Sequence, residues 1–383
     1  MKKLLYFLSI CIFFTTLNSC IEEFDAGTTE FEDVIVIEAI LTNELKNHTI
    51  KLTRTYKFED NGPSSESGAD VKIITNNNTT YSFSETNSGV YTSNAVFKAE
   101  VGVTYNLEIT TRNGRKYKSK DTQLTNITTI DDVYAAITTN KDGVEGIGLF
   151  VDSFDATNSS KYYGYEFDET YKIVVPSWFP TDLILTSNGG ITEVPKQQEE
   201  KTCYNTIESK GRLLTNTTLL DQDRVNGFLL KFIANDDIRV NTRYSILVKQ
   251  YIQSRESYNY IRVLEEFSES QSLFSQVQPG FLASNIFSVD DENEKVLGFF
   301  EVSSISQKRY FFNREDLLDT EYPWPCTVTE PTRARLISQL RNNRVKLIGV
   351  LDPQEPNPYQ VVNRLCGDCT ASGSNIRPDF WED

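Results

Sequence analysis

The sequence contains few of the residues on which common catalytic and nucleic-acid-binding chemistry depends. Its 383 residues include one histidine, and 38 Lys and Arg stand against 54 Asp and Glu, for a net charge of −16. A single histidine leaves little room for general-base catalysis, because histidine is the side chain that titrates near neutral pH. The shortage of basic residues argues against nucleic-acid binding, which requires Lys and Arg to neutralise phosphates.

The sequence also lacks a hydrophobic run long enough to make a membrane span at its start. The apolar segment 4–14 has eleven residues and follows two lysines, whereas a spanning helix needs about 20. Such a segment is typical of a signal peptide. Leu17 and Ser19, placed before Cys20, resemble the lipobox of bacterial lipoproteins, which implies cleavage before Cys20 and lipid attachment to its thiol. An ordinary secretory signal that contains a cysteine is the alternative.

An acidic segment follows the predicted signal peptide of residues 1–19. Residues 20–33 carry six acids: Glu22, Glu23, Asp25, Glu30, Glu32 and Asp33. A segment this charged cannot bury itself, so we expect an extended tether. Acids directly after a lipidated cysteine resemble the surface-export signal of Bacteroidetes lipoproteins, and a plain solvated tether is the alternative.

The body of the chain predicts an all-β fold of two domains. Its 39% hydrophobic and 12% aromatic residues are enough to form cores. Residues 34–125 show period-two alternation with turn signals such as Asn113-Gly114, which predicts about seven short strands in an immunoglobulin-like β-sandwich. Gly102, three residues before Tyr105, resembles the tyrosine corner of such folds.

Residues 126–383 predict a second, larger β-sandwich domain with insertions. The stretch 176–213 loses the alternation, and we interpret it as a loop insertion. Residues 254–270 have helical spacing, with Ser254 as the N-cap, and predict one amphipathic helix packed on the sandwich. The segment 295–313 predicts the last pair of strands, and a cysteine-containing C-terminal tail follows.

Four cysteines remain beyond the signal and lipidation region: Cys203, Cys326, Cys366 and Cys369. An even number of cysteines in an exported chain predicts disulfides, here in any of three pairings. One alternative is a zinc site that uses all four thiolates. The other is a redox pair in the CxxC motif of Cys366 and Cys369, although no βαβ pattern surrounds it.

Other candidate site residues are few. Trp178, Phe179, Trp324 and Trp381 are candidates to stack on a glycan or to anchor a protein partner, with core packing as the alternative. His48 is a candidate for a catalytic triad, and a lone surface histidine is the simpler interpretation.

No known catalytic or cofactor motif is present. The sequence has no GxSxG, HExxH, P-loop or EF-hand pattern. The acidic loop 290–294 is dense enough to attract Ca²⁺ but lacks the ligand spacing of a calcium loop, so we interpret it as a solvated turn. We therefore predict no catalytic residues, no cofactor and no metal site.

Together these features resemble a Bacteroidetes family of outer-membrane lipoproteins, the domain of unknown function 4249. The matching features are Cys20, the strand 34–39, the turn from Gly102 to Tyr105, Cys203, the segments 244–267 and 285–300, and the ending Cys366-Gly367-Asp368-Cys369, Gly373 and Pro378-Asp379-Phe380-Trp381. The family commonly has Arg-Cys-Trp where this chain has Thr202-Cys203-Tyr204, so no role of that tryptophan transfers here.

The resemblance implies a lipid-anchored protein on the exterior of the outer membrane. It further implies a non-enzymatic accessory or substrate-binding partner of a TonB-dependent transporter, and it supplies no catalytic residues. A structural or adhesive cell-surface protein is the alternative. A secreted hydrolase built on His48 or on a carboxylate pair is a third hypothesis.

Overall fold

A computed structural model of the chain describes residues 32–57, 62–269, 284–352 and 354–383. The predicted signal peptide, most of the acidic tether and the predicted lipid attachment site Cys20 lie outside the described residues. Within the described residues, every helix is too short or too polar to cross a bilayer.

The first unit consists of short strands whose side chains alternate between the core and solvent. In the first strand, Ile35, Ile37 and Leu41 are buried while Glu38 is exposed, as expected for a strand with one face inward. In the part of the unit that the structure describes, the strands are β1 (Ile35–Thr42), β2 (Thr49–Arg54), β3 (Ser64–Ser65), β4 (Asp70–Thr75), β5 (Thr80–Asn87), β6 (Val90–Ser93), β7 (Thr104–Thr110), β8 (Lys116–Ser119) and β9 (Thr122–Gln123).

The later part of the chain has longer strands and the α-helices. Its strands are β10 (Ile130–Thr139), β11 (Glu145–Asp155), β12 (Tyr162–Val174), β13 (Thr181–Leu185), β14 (Ile191–Pro195), β15 (Thr202–Glu208), β16 (Leu213–Asn216), β17 (Asp223–Ala234), β18 (Arg243–Gln253), β19 (Ile286–Ser288), β20 (Val296–Asn313), β21 (Val345–Val350) and β22 (Tyr359–Asn363). The helices are α1 (Arg255–Glu269), α2 (Arg333–Arg341) and the single turn α3 (Arg364–Gly367). Residues 286–288 and 296–303 pair with strands of the first unit, and the rest forms the second unit.

A sheet of fifteen strands runs through both units. Its order is β15-β12-β18-β20-β1-β2-β6-β5-β4-β7-β8-β19, with β16, β3 and β9 paired beside this path. A separate three-stranded sheet, β10-β11-β17, packs over β12 and β18. Buried residues of both layers, such as Leu149 and Val151 on one and Tyr165 and Val248 on the other, share one core. The predicted all-β, sandwich-like architecture is confirmed.

Strand β20 joins the two units. Its residues 296–303 pair in parallel with β1, and its residues 304–313 pair antiparallel with β18. Phe300 and Val302 lie in the first core, and Phe312 lies in the second. One strand therefore contributes backbone hydrogen bonds and buried side chains to both units.

The tyrosine corner and the helix agree with the sequence predictions. The Tyr105 hydroxyl accepts a hydrogen bond from the backbone N–H of Glu100 at 2.8 Å, and Gly102 takes the positive φ of 79° that the turn requires. The Ser254 hydroxyl accepts from the backbone N–H of Ser257 at 3.0 Å. Ser254 therefore caps helix α1, as predicted.

The predicted division at residues 125 and 126 does not separate the cores. Ile286, Val296 and Phe300 come from the later part of the chain and lie in the first core. The predicted strand pair in 295–313 is wrong, because these residues form the single strand β20. Its polar residues 306–308 suggest a turn, but they stay extended because they pair with β18.

The predicted loop insertion 176–213 is also wrong in part. It contains strands β13, β14 and β15 and the first residue of β16. The β13–β14 hairpin packs on α2 and β21 through Leu183, Leu336 and Leu347. These strands bury few side chains, so they lack the strong alternation from which a strand is predicted.

We predict that the two units unfold together, since β20 belongs to both cores. The substitution Phe300→Ala removes a fully buried ring and should lower the free energy of unfolding by about 3–5 kcal/mol. Urea denaturation followed by tyrosine and tryptophan fluorescence should show one shifted transition.

The matched control is Phe287→Ala, because Phe287 is exposed on β19 and its loss should change stability by about 0.5 kcal/mol or less. Two separate transitions in Phe300→Ala, with only one shifted, would contradict a shared strand.

Candidate functional site

Two disulfides tie the C-terminal tail to the second unit. Cys203 on β15 bonds Cys369, and Cys326 bonds Cys366. The predicted disulfides are therefore confirmed, and the pairing that the sequence left open is settled. The two cysteines of the CxxC motif have different partners, so the motif is not a redox pair in this state and its thiolates are not available to zinc.

A buried lysine lies beside these disulfides. The Lys346 ammonium contacts carboxylate oxygens of Asp182 at 2.6 Å, Glu200 at 3.0 Å and Asp368 at 3.5 Å. Asp368 lies between Cys366 and Cys369 and also accepts from Arg364 and Thr370. We call the two disulfides together with Lys346, Glu200 and Asp368 the C-terminal clasp.

Protonation equilibria in the clasp follow from this packing. Burial alone would raise the pKa of Asp368, but hydrogen bonds from Thr370 and Arg364 and the charge of Lys346 outweigh it, so its pKa lies below the usual value. Burial alone would likewise raise the pKa of Glu200, but hydrogen bonds from Lys196 and Lys346 lower it below the usual value. Both carboxylates therefore stabilise the fold in their ionised form.

A pocket of about 410 Å³ lies beside the clasp, at the end of β20. It is lined by Pro176, Asn241, Arg314, Glu315, Leu318, Asp319, Thr320, Glu321, Tyr322 and Trp324. Arg314 directly follows β20, and Asn241 comes two residues before β18. The backbone N–H of Arg314 donates to the Thr242 carbonyl at 2.6 Å. The floor of the pocket is thus a continuation of the paired strands.

Arg314 is 6% exposed and is held by backbone carbonyls. Its Nε donates to Thr320 O at 2.7 Å, and its Nη1 donates to Asn235 O at 2.9 Å and Val240 O at 3.1 Å. Burial lowers the pKa of Arg314, yet a guanidinium stays charged in proteins. Its role in the pocket is therefore to fix the surrounding loops.

Asn241 has a free hydrogen-bonding group at the floor. Its side chain is 6% exposed, and within the described residues its Nδ2 has no hydrogen-bond partner. A buried donor without a partner costs about 1–3 kcal/mol, so such groups in native proteins call for an explanation. The nitrogen itself is buried, so a ligand in the pocket does not reach it, and the unpaired donor is a cost of the packing beside Arg314.

Two prolines fix the backbone of the segment that forms the aromatic wall of the pocket. The Trp324 N–H donates to Tyr322 O at 2.9 Å, and the Cys326 N–H donates to Trp324 O at 2.8 Å. These i to i+2 bonds are two consecutive γ-turns centred on Pro323 and Pro325, whose fixed φ suits that turn. The Tyr322 and Trp324 rings lie 5.1 Å apart at 80°. The segment is therefore rigid, and its far end is held by the Cys326 disulfide.

The four predicted aromatic contact residues lie in different environments. Trp324 is half-buried and lines the pocket, whereas Trp178 is 37% exposed and is not among the lining residues. Phe179 packs against the small core of α2, β13 and β21. The prediction for Trp381 as a contact residue is wrong, because Trp381 is 4% exposed and its ring lies between Tyr204 and Phe311.

The interpretation of His48 as a surface residue is wrong. The side chain is 1% exposed, packs edge-on against the Phe97 ring and places Nε2 3.0 Å from the Phe97 carbonyl. Burial lowers its pKa. His48 therefore belongs to the packing of the first unit, where a triad reaching solvent has no room.

The acidic loop 290–294 makes contacts with protein groups. Glu294 accepts from Arg115 at 2.8 Å and from the Tyr117 hydroxyl at 2.7 Å, and Asp290 accepts from the Lys116 N–H at 3.0 Å. Burial, followed by the hydrogen bond to Glu294, raises the pKa of Tyr117 to about 12. Across the parts of the chain that the structure describes, no group of three His, Cys, Asp or Glu side chains has the arrangement of a metal site.

Sequence reasoning missed Asn241, Arg314 and Tyr322. Asn241 and Arg314 lie 73 positions apart in the chain, and only the pairing of β18 with β20 brings them together. A usable local signal was the alternation Tyr322-Pro323-Trp324-Pro325, because prolines on both sides of an aromatic residue hold it in an extended loop.

We predict that removal of the Cys326–Cys366 disulfide destabilises the clasp. Cys326→Ala with Cys366→Ala opens a link across 40 positions and should lower the free energy of unfolding by about 2–4 kcal/mol. Urea denaturation without reductant measures this change. Peptide mapping of the unmodified protein should recover the Cys326–Cys366 and Cys203–Cys369 links, and a Cys366–Cys369 link would contradict the structure.

We also predict an acid-sensitive clasp. Because the pKa of Asp368 is depressed in the folded state, its contribution is present above the unfolded pKa of about 4 and is lost as the pH falls below it. Asp368→Asn should destabilise the protein at pH 7 by about 1–3 kcal/mol, since it weakens the hydrogen bonds from Arg364 and Thr370 while Lys346 keeps Asp182 and Glu200. It should also flatten the fall in stability between about pH 5 and pH 3.

Thermal unfolding over this pH range measures both effects. The matched control is Asp142→Asn, because Asp142 is exposed in the turn after β10. Equal pH profiles for Asp368→Asn and the unmodified protein would refute the assignment.

Comparisons with known proteins give a family but no function. A search of the curated proteins finds no match. A solved structure of a DUF4785 family protein from Legionella pneumophila is similar with 10% identity and a TM-score of 0.20, over 56% of this chain and 51% of that chain. This chain thus spans about half of that protein, and a likeness so low carries no argument. The family of the domain of unknown function DUF4249 matches residues 21–309, which include Asn241 but end before Arg314. Because this match covers well over half of the chain, the protein belongs to the DUF4249 family.

Proposed function

We propose that this protein is a ligand-capturing lipoprotein of the outer-membrane surface, which acts without catalysis beside a TonB-dependent transporter. The observation that carries the proposal is the pocket at the end of β20. Its floor residues Asn241 and Arg314 are buried, and its aromatic wall is fixed by prolines and a disulfide. A concave site that combines an aromatic wall with placed polar groups is a usual form of a binding site.

The distribution of titratable groups supports binding over catalysis. The lone histidine, His48, is enclosed in the first unit, and the carboxylates of Glu315, Asp319 and Glu321 lie on the exposed rim of the pocket. A general base must reach the proton that it abstracts and have a pKa matched to that task. The rim carboxylates are better suited to accept hydrogen bonds from a ligand.

The location and the partner rest on the sequence. The lipobox ending at Cys20 supports a lipid anchor, and the acidic segment after it supports a tether that holds the folded units away from the membrane. The resemblance to lipoproteins associated with TonB-dependent receptors supports a transporter as the partner.

We predict that the tagged protein copurifies with a β-barrel receptor from outer membranes solubilised in a mild detergent. The control is Cys20→Ala, which removes the predicted lipid attachment and should abolish both fatty-acid labelling and recovery of the receptor. Mass spectrometry identifies the copurifying chain.

Recovery of no β-barrel receptor with the lipidated protein would contradict the proposed partnership. A deletion strain with unchanged nutrient uptake and altered cell contact would favour the structural or adhesive alternative instead.

A further inference from the structure

We infer that the pocket at the end of β20 binds an uncharged saccharide of one or two rings. This inference rests on the proposed function, since it names the ligand class of the same site. It follows from the hydrogen-bonding groups, the charges and the aromatic wall of the pocket, taken together.

The floor disfavours a cation. Arg314 lines the pocket and is 6% exposed, so its positive charge lies in a poorly solvated position beneath a bound ligand. Like charges repel, and an ammonium group in the pocket would meet this guanidinium. A simple amine is therefore a poor fit to the floor.

The rim disfavours an anion. Glu315, Asp319 and Glu321 are exposed around the opening, and like charges repel a carboxylate or phosphate. Strong carboxylate binding in proteins uses a guanidinium that offers two parallel N–H groups. In this pocket Nε and Nη1 of Arg314 already donate to backbone carbonyls. The carboxylate end of an amino acid or peptide therefore lacks a strong partner.

A neutral polyol avoids both repulsions. Each hydroxyl can donate one hydrogen bond and accept two. Ligand hydroxyls can thus donate to the exposed rim carboxylates without placing a charge beside Arg314 or beside the rim. This combination distinguishes a saccharide from an amine or a carboxylate.

The aromatic wall adds a surface for the apolar face of a sugar ring. The Trp324 indole lines the pocket and also packs against the second core, and Tyr322 meets it edge to face. Large flat aromatic surfaces fixed in place contribute strongly to binding, because little conformational entropy is lost. The volume of about 410 Å³ lies near the lower end of the range for ligand pockets and suits a small ligand.

The test uses the mature chain and a panel of soluble probes. The neutral saccharides are glucose, galactose, mannose, maltose and cellobiose, and the charged probes are alanine, glutamate, choline and citrate. Isothermal titration calorimetry measures binding, and tryptophan fluorescence reports on Trp324. We expect at least one neutral saccharide to bind and the charged probes to bind at least about tenfold more weakly.

Four variants locate the binding. Trp324→Ala should weaken saccharide binding by about tenfold or more, and Trp324→Phe should restore part of it by returning an aromatic face. The matched control is Trp178→Ala, which removes a tryptophan outside the lining residues and should leave the affinity unchanged. Because Trp324 also contacts the core, Asp319→Asn on the exposed rim supplies an independent test, with an expected loss of about threefold to tenfold.

The results separate this inference from the proposed function. Binding of an amino acid, amine or carboxylate that depends on Trp324, with no saccharide binding, would overturn the saccharide assignment and leave ligand capture intact. Saccharide binding that neither Trp324→Ala nor Asp319→Asn weakens, or no saccharide binding at all, would also overturn the assignment. Ligand capture beside a transporter would then be judged by the copurification alone.

Discussion

The pairing of β20 with two different strands is the interaction on which the rest of the structure depends. Its first half extends the sheet of the first unit through β1, and its second half pairs with β18 in the second unit. A parallel pairing can join residues far apart in sequence, since the connection between them can be of any length above about a dozen residues. Through β20, the strand ends of the second unit are hydrogen-bonded into the same sheet as the first unit.

The pocket inherits its geometry from those strand ends. The hydrogen bond from the Arg314 N–H to the Thr242 carbonyl continues the β18–β20 pairing beyond the last paired residues. The backbone of the floor is therefore held by the same sheet. The wall is fixed differently, by two prolines in γ-turns and by the Cys326–Cys366 disulfide. A site held by paired strands below and by a covalent link at its rim is preorganised, which reduces the entropy lost on binding.

Local features of the fold could be predicted from the sequence. The period-two strands, the Tyr105 corner, the Ser254 cap and the disulfide use of the four late cysteines follow from patterns within a few residues or from composition. The union of β20 with β1 could not, because it joins position 300 to position 39. Strands β13 to β15 were missed because half-exposed strands carry little alternation. The burial of His48 was not predicted, because a polar residue beside Asn47 and Thr49 is expected to be exposed. Only the tertiary packing of Phe97 against it buries the side chain.

The same distinction between local patterns and long-range contacts applies to the site. Trp324 could be named as a candidate from the sequence, but nothing local distinguished it from Trp381, which packs between Tyr204 and Phe311. The difference depends on where the tail is pinned by Cys366 and Cys369. The most direct test is a crystal structure of the mature protein bound to the tightest-binding saccharide of the panel. It should show a sugar ring against the Trp324 face, hydroxyls within hydrogen-bond distance of the rim carboxylates, and unchanged positions of Arg314 and Thr242. A saccharide bound elsewhere on the protein, or a pocket that must rebuild its floor to admit one, would contradict the saccharide assignment.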